Sequence, residues 1–134
     1  MSKIKTFNEI KAWQKSHELV LYIYKISNEY PNSEIYGLTS QTRRAASSVP
    51  ANIVEGYKRQ NLKDSIRFYN NAEASLEELK YHLLLAKDLK YISKERYKFI
   101  KEKTEETSKT LYGWINSQRN FLNKKAESAV SADS

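Results

Sequence analysis

The sequence contains no cysteine and few residues that break helices, with three glycines and two prolines in 134 residues. Without cysteine the chain can form no disulfide bond, no thiolate metal site and no cysteine nucleophile. The segments between the glycines and prolines are rich in leucine, lysine, glutamate and alanine, all of which favour helix. The composition therefore predicts an all-α protein.

The sequence also lacks a long apolar run. The longest run, Leu19 to Tyr24, is far shorter than the roughly 20 apolar residues that cross a bilayer. The first residues contain no apolar segment of signal-peptide length. We therefore expect a cytoplasmic protein with no membrane partner, and the length predicts one domain with a hydrophobic core.

Acidic residues are the minority among the charged ones. Lysine and arginine number 23 and aspartate and glutamate 16, which gives a net charge of +7 and a pI near 9.5. This balance favours an anionic partner but does not specify one, because many basic proteins bind nothing anionic.

Apolar residues recur every three or four positions in four segments, which predicts four helices. The first helix is expected to begin near Asn8 and to end near Glu29. Its apolar arc is wider than one neighbouring helix covers, which predicts either a central helix or a subunit interface. The main stripe of this arc contains Ile10, Trp13, His17, Val20, Leu21 and Tyr24, and the second stripe contains Ala12, Leu19, Ile23 and Ile26.

The second predicted helix occupies most of the segment Tyr36–Arg59, and Gly37 lies at its start. Pro50 lacks a backbone N–H and is expected to bend this helix. Gly56 can adopt a left-handed conformation, so we expect the helix to end there. The face toward the core is predicted to contain Leu38, Thr42, Ala45, Val49 and Ile53.

The third predicted helix begins at Asn61 or Asp64 and ends near Lys90, and Ser93 is expected to cap the fourth. The predicted core stripe of the third helix contains Phe68, Ala72, Leu76, Leu79, Leu83 and Ala86, with Tyr69 beside it. The predicted core stripe of the fourth helix contains Tyr97, Ile100, Thr104, Thr107, Leu111, Trp114, Gln118 and Phe121.

Residues 124–134 show no apolar period, so we predict a disordered tail behind a single domain of residues 1–123. Four helices joined by short links predict an antiparallel up-and-down four-helix bundle in which the second helix is bent at Pro50.

Motifs for catalysis are absent from the sequence. His17 and His82 are the only histidines, and no Glu-x-x-His pair of the kind that holds metals in di-iron bundles occurs. The sequence also contains no phosphate-binding glycine loop and no nucleophile elbow. We therefore expect no enzymatic activity, no metal and no cofactor. An enzyme that uses bundle glutamates and a metal is the weakest alternative.

Six basic residues lie between positions 41 and 67 against only two acidic ones, Glu55 and Asp64. Phosphate binding requires several cations on one face with few carboxylates among them. The basic cluster has two equally good interpretations. It is either a nucleic-acid-binding surface or a solvated face with local ion pairs, such as Arg44 with Glu55. The ten tyrosines are expected mainly to pack in the core or in an interface. Tyr57, next to Lys58 and Arg59, is the one tyrosine that we keep as a candidate nucleic-acid contact. The candidate phosphate contacts are Arg43, Arg44, Lys58, Arg59, Lys63 and Arg67.

A motif runs through the second helix, and it consists of Tyr36-Gly37-Leu38, Gln41, Arg43-Arg44-Ala45-Ala46, Ser48-Val49-Pro50, Asn52-Ile53, Glu55-Gly56 and Arg59. It resembles the central signature of the small bacterial four-helix-bundle proteins that are encoded within intervening sequences of 23S ribosomal RNA genes. Accessory proteins of diversity-generating retroelements resemble the same family. The resemblance extends over most of the chain, which departs from the family at Lys90, where glycine is common.

The resemblance implies an antiparallel four-helix bundle that assembles as a homopentamer with a basic surface. It also implies no known catalytic activity and a suspected role in binding structured RNA or another nucleic acid. The retroelement branch would bind a reverse transcriptase and its template RNA.

Our leading hypothesis is a non-enzymatic, oligomeric protein that binds RNA or DNA. The alternative is a protein-interaction scaffold for a reverse transcriptase or another RNA-processing partner. We expect structural roles for the motif residues Gly37, Pro50, Asn52, Glu55 and Gly56.

Overall fold

The computed structural model describes the backbone of residues 4–133 and the side chains of residues 4–130. Residues 1–3 of the predicted domain and residue 134 of the predicted tail lie outside this range. The described part of the chain contains no β-strand and forms four α-helices, with short 3-10 turns at Phe7–Glu9 and Asn32–Glu34. The helices are α1 (Lys11–Ser27), α2 (Leu38–Lys58), α3 (Leu62–Asp88) and α4 (Lys94–Asp133).

The helices pack as a four-helix bundle, as predicted. α1 contacts α2 and α4, and α3 contacts the same two helices, so α1 and α3 lie diagonally across the bundle. The links are short, which makes consecutive helices antiparallel neighbours.

The core face of α1 differs from the predicted main stripe. The buried residues of α1 are those of the second stripe together with Ser16 and Ser27. Of the main stripe, Ile10 is buried just before the helix, whereas Leu21 is 58% and Tyr24 44% exposed. The bundle covers only the part of the arc that faces α2 and α4. The other part of the apolar arc, including Leu21 and Tyr24, remains at the surface of the chain.

The predicted core face of α2 is confirmed, since all five of its residues are buried, and Pro50 lies inside the helix. The role expected of Gly56 is wrong. No glycine in the described residues has a positive φ angle, and Gly56 is a buried residue of the last turns of α2. A Cβ atom at Gly56 would lie 2.5 Å from Cε1 of Tyr69 and 2.9 Å from the carbonyl oxygen of Ser65. Gly56 therefore allows α2 and α3 to approach closely.

Helix α3 begins at the predicted cap, because the Asn61 side chain accepts hydrogen bonds from the backbone N–H groups of Lys63 and Asp64. Its core face contains Tyr69 in place of Phe68, which is only half-buried.

The end of α3 is formed by Lys90, whose φ of 65° is the only positive value among the described non-glycine residues. The Tyr91 N–H donates to the carbonyl of Ala86 and the Lys90 N–H to that of Lys87, each at 2.9 Å. This is the hydrogen-bond pattern of a Schellman motif, which usually contains glycine at this position.

Helix α4 is capped by Ser93, as predicted, because the Ser93 hydroxyl accepts a hydrogen bond from the Arg96 N–H at 3.1 Å. Its core face includes Ile115, which the predicted stripe omitted, while Phe121 is 47% exposed. The helix continues to Asp133, where the sequence predicted a disordered tail from Lys124. No glycine or proline follows Gly113, so nothing in the local sequence ends the helix.

Candidate nucleic-acid interface

Four of the six candidate phosphate contacts lie around the short link between α2 and α3. Lys58 is the last residue of α2, Arg59 follows it, and Lys63 and Arg67 lie in the first two turns of α3. The Asn61 cap turns the chain between them. The link therefore places four cations near one end of the bundle.

Arg59 and Arg67 are held in place by an aromatic ring and a shared carboxylate. Their guanidinium carbons lie 4.3 Å and 5.0 Å from the centroid of the Phe68 ring, which is within the range of cation–π attraction. Asp64 lies 2.7 Å from Nη2 of Arg67 and 3.8 Å from Nε of Arg59. The half-buried Phe68 thus supports two arginines instead of filling the core.

Lys58 and Lys63 are exposed, and neither ammonium group forms an ion pair within the described residues. Glu55 pairs with Arg59 at 3.2 Å, so the expected ion pair of Glu55 with Arg44 does not form. The four cations around the link face two carboxylates, which leaves a local net charge of +2.

Arg43 and Arg44 lie apart from the link. Arg44 is 14 residues before Lys58 in α2, or about 21 Å along the helix axis, and its side chain is exposed without an ion pair among the described residues. It borders a shallow groove of about 380 Å³ that is also lined by Tyr24 and Ile35.

Arg43 joins α2 to the end of α1. Its guanidinium donates to the Ser27 hydroxyl and to Oδ1 of Asn28, each at 2.8 Å, and it lies 4.8 Å from the ring centroid of Tyr24. The negative end of the α1 dipole also stabilises a cation at this position. Arg43 therefore has structural partners within the chain, unlike Arg44.

The motif residue Gly37 precedes α2, where a carboxylate approaches closely. Oε1 of Glu34 accepts a hydrogen bond from the Leu38 N–H at 3.1 Å, and Oε2 accepts one from the Tyr91 hydroxyl at 2.7 Å. These hydrogen bonds lower the pKa of Glu34. A Cβ atom at Gly37 would lie 2.6 Å from Oε1 of Glu34, so the glycine leaves room for this contact.

Asn52 belongs to a small polar network between α2 and α3. Its amide donates to the Ser48 carbonyl at 2.8 Å and to the Ser48 hydroxyl at 3.0 Å. The Ser48 and Ser75 hydroxyls are 2.8 Å apart. Of these hydrogen bonds, only the contact between Ser48 and Ser75 joins α2 to α3. The Asn52 amide orients the Ser48 side chain within α2 and so supports that contact.

A groove lies beside the link and was not predicted from the sequence. It has a volume of about 790 Å³ and runs between the link and residues 114–125 of α4. Its lining contains no acidic residue within the part of the chain that the structure describes. Burial raises the pKa of Tyr69, which forms part of its floor, to about 12. Other lining residues are Tyr57, Arg59, Leu62, Trp114, Phe121 and Lys125.

Apolar side chains are exposed on two further surfaces. The first, the α1 surface, contains Leu21, Tyr24, Ile35 and Tyr36, of which Tyr36 is 95% exposed. The second, the α3–α4 surface, contains Tyr81, Leu84 and Tyr112. Glu73 and Glu77 line the adjoining groove between α3 and α4.

The two histidines do not form a metal site in the structure. His82 is buried, with Nε2 3.8 Å from a carboxylate oxygen of Glu78, and the ring of His17 stacks on Trp13. Among the described residues there is no group of three or more His, Asp or Glu side chains placed to hold a metal ion. None of the helices in that range is long and apolar enough to cross a membrane.

Known proteins resemble the chain in sequence and in structure. The family model of the 23S rRNA-intervening sequence protein matches residues 8–113. A crystal structure of a protein of unknown function from the S23 ribosomal protein family of Bacteroides thetaiotaomicron is similar, with a TM-score of 0.71 and 28% sequence identity. That match covers 78% of this chain and 97% of the other. No curated protein matches the chain.

Proposed function

Because the chain belongs to the 23S rRNA-intervening sequence protein family, we propose that it is a non-enzymatic, oligomeric protein that binds structured RNA through phosphate contacts. The observation that carries this proposal is the arrangement at the α2–α3 link. There the exposed Lys58 and Lys63, which form no ion pair among the described residues, flank two arginines held on Phe68.

The arginines supply preorganised donors. Because Phe68 and Asp64 already restrict both guanidinium groups, less side-chain entropy is lost when they bind a phosphate. The phosphate would replace Asp64 as the anionic partner, while the two lysines add charge without fixed geometry. Contacts of this kind position an RNA backbone without reading its sequence.

Arg44 extends the proposed contact surface along α2. At about 21 Å from Lys58 along the helix axis, it would contact a different part of the same RNA. Arg43 contributes charge to this region, and its hydrogen bonds to the end of α1 make it the least available of the six for direct contact.

Self-association is part of the proposal. The α1 surface lies next to Arg44, whereas the grooves at the α3–α4 surface are lined by both glutamates and lysines. Two apolar surfaces at different positions on the chain suit a head-to-tail contact between copies, which closes into a ring when the rotation permits. The family resemblance implies a pentamer. Repeating a weak RNA site around such a ring would raise the overall affinity by avidity.

Charge-neutralising variants test the RNA proposal. The double variant Lys58→Ala and Lys63→Ala removes two exposed cations. It is expected to fold normally, because neither ammonium group has an ion-pair partner among the described residues. We expect weaker binding to structured RNA and a salt dependence lowered by about one in slope for each lysine.

A matched control keeps the net charge equal. The double variant Lys94→Ala and Lys98→Ala removes two exposed lysines at the start of α4, at the opposite end of α3 from the link. We expect this control to bind RNA nearly as well as the wild type. Equal losses in the two double variants would mean that net charge alone attracts RNA, and would contradict a site at the link.

A protein-interaction scaffold is the second candidate. The exposed apolar side chains on α1 favour it, because such patches mark protein interfaces. The partner would be a reverse transcriptase or another RNA-processing protein, as in the retroelement branch of the family resemblance. A pull-down from nuclease-treated lysate distinguishes the candidates, since a direct protein partner survives the loss of RNA. In either case the protein would act in the cytoplasm.

A further inference from the structure

The groove beside the α2–α3 link combines aromatic walls with positive charge. Tyr57 and Phe121 lie in its lining together with Arg59 and Lys125, and its volume of about 790 Å³ falls within the range of small-molecule sites. Phe121 is 47% exposed, so one aromatic ring is available to a ligand. Among the described residues that line the groove there is no carboxylate, which favours an anionic occupant.

We propose that this groove, the base groove, holds an unstacked nucleobase of the bound RNA, with the flanking phosphates on Arg59 and Lys125. The inference rests on the proposed function, because the link supplies the neighbouring phosphate contacts. It goes further by assigning a chemical class to the ligand, namely an unpaired nucleotide at a loop, bulge or end. A duplex in which every base is stacked and paired offers no such group.

The geometry of the groove suits this ligand. The exposed Phe121 ring offers surface for stacking, which tolerates any base because every base has a π-face. Arg59 already lies 4.3 Å from the Phe68 ring centroid and contributes both to the link and to the base groove. Arg59 would thus contact the phosphate next to the bound base.

Single-residue variants on the same helix test the assignment. Phe121→Ala removes the exposed ring, and Phe99→Ala is the matched control, because Phe99 is a 42% exposed aromatic near the other end of α4. Three RNAs of equal phosphate number are compared: a single-stranded oligoadenylate, the same strand with abasic sites, and a blunt duplex.

We expect Phe121→Ala to weaken oligoadenylate binding by roughly five- to a hundredfold, as is typical for loss of one base–aromatic stack. Binding of the abasic strand and of the duplex should stay within about twofold of the wild type, and Phe99→Ala should bind all three RNAs as the wild type does. A Trp13→Phe variant leaves Trp114, in the groove lining, as the only tryptophan. Its fluorescence should change with oligoadenylate but not with the abasic strand.

Other outcomes separate this inference from the proposed function. If the wild type binds the duplex but Phe121→Ala weakens no RNA, the base groove is refuted while phosphate binding stands. If the wild type binds none of the RNAs at low salt, both proposals fail. If Phe121→Ala lowers the mass of the oligomer, the groove is a contact between copies of the chain, which also refutes base binding.

Discussion

Gly56 offers a quantitative test of how the two helices that carry the site are packed. The substitution Gly56→Ala adds one methyl group inside a helix, which by intrinsic propensity alone should stabilise the protein by about 1 kcal/mol. The structure predicts the opposite sign. The new Cβ atom would lie 2.5 Å from Cε1 of Tyr69 and 2.9 Å from the backbone oxygen of Ser65. Tyr69 is only 2% exposed, so its ring cannot swing into solvent.

The expected magnitude follows from these opposing effects. Adding a methyl group to a well-packed core costs about 1–3 kcal/mol. The cost at Gly56 should lie at the upper end of this range, because a clash with backbone forces α2 and α3 apart. After the gain in helix propensity is subtracted, we expect a net loss of about 1–2 kcal/mol. Urea denaturation at fixed protein concentration measures this loss, since oligomerisation makes stability depend on concentration.

Gly113→Ala is the control for propensity. Gly113 lies inside α4, and a Cβ atom there would meet nothing within 4 Å, so we expect a gain of about 1 kcal/mol. If Gly56→Ala were as stable as the wild type or more stable, the close approach of α2 and α3 at this glycine would be wrong. A gain from both variants would show that only helix propensity matters at these positions.

Three further predictions concern residues toward the end of the bundle opposite the α2–α3 link. Lys90→Gly should raise the free energy of unfolding by about 1 kcal/mol, because Lys90 has a φ of 65° that glycine adopts without strain; a lower midpoint in urea would contradict this. Arg43→Ala should lower the free energy of unfolding by about 1–2 kcal/mol, because the hydrogen bonds to α1 are lost. Arg44→Ala should change it by less than about 0.5 kcal/mol. Equal effects of the two variants would contradict a structural role for Arg43 that Arg44 does not share. The pKa of Glu34 in the folded state lies below its ordinary value of 4.5. The ionised carboxylate therefore stabilises the fold above that ordinary value, and this stabilisation is lost as the pH falls through the folded-state pKa. Glu34→Gln should therefore flatten the loss of stability below about pH 5, and an unchanged acid profile in urea titrations would refute the assignment.

The parts of the fold that follow from local periodicity could be predicted. The core face of α2 has one narrow apolar stripe, and its five predicted residues are all buried. The caps at Asn61 and Ser93 follow from residue type and position, and both form hydrogen bonds to the predicted helix starts.

Features that depend on neighbouring helices could not be predicted. The apolar arc of α1 is wide, and only the positions of α2 and α4 decide that Leu19 is buried while Leu21 is exposed. A glycine near a helix end suits either a left-handed turn or a close approach, and only Tyr69 across the interface identifies Gly56 as the second kind.

The candidate site was predictable in composition but not in arrangement. The basic cluster is visible in the sequence, yet the partners of Arg43 are 15 and 16 residues away, on α1. The role of Phe68 beside two arginines likewise requires the turn at the link. Phe121 follows the apolar period of α4, but no neighbouring helix covers it, so its place in the base groove required the structure.

The most direct test of the central claim is binding of the wild-type protein to a structured RNA at several salt concentrations, with the mass of the protein measured in the same buffers. We predict binding by an oligomer, with the logarithm of the affinity falling linearly as the logarithm of the salt concentration rises. A slope that corresponds to several phosphate contacts for each oligomer would support the proposed interface. Absence of binding at low salt by a well-folded oligomer would contradict it and would favour the scaffold.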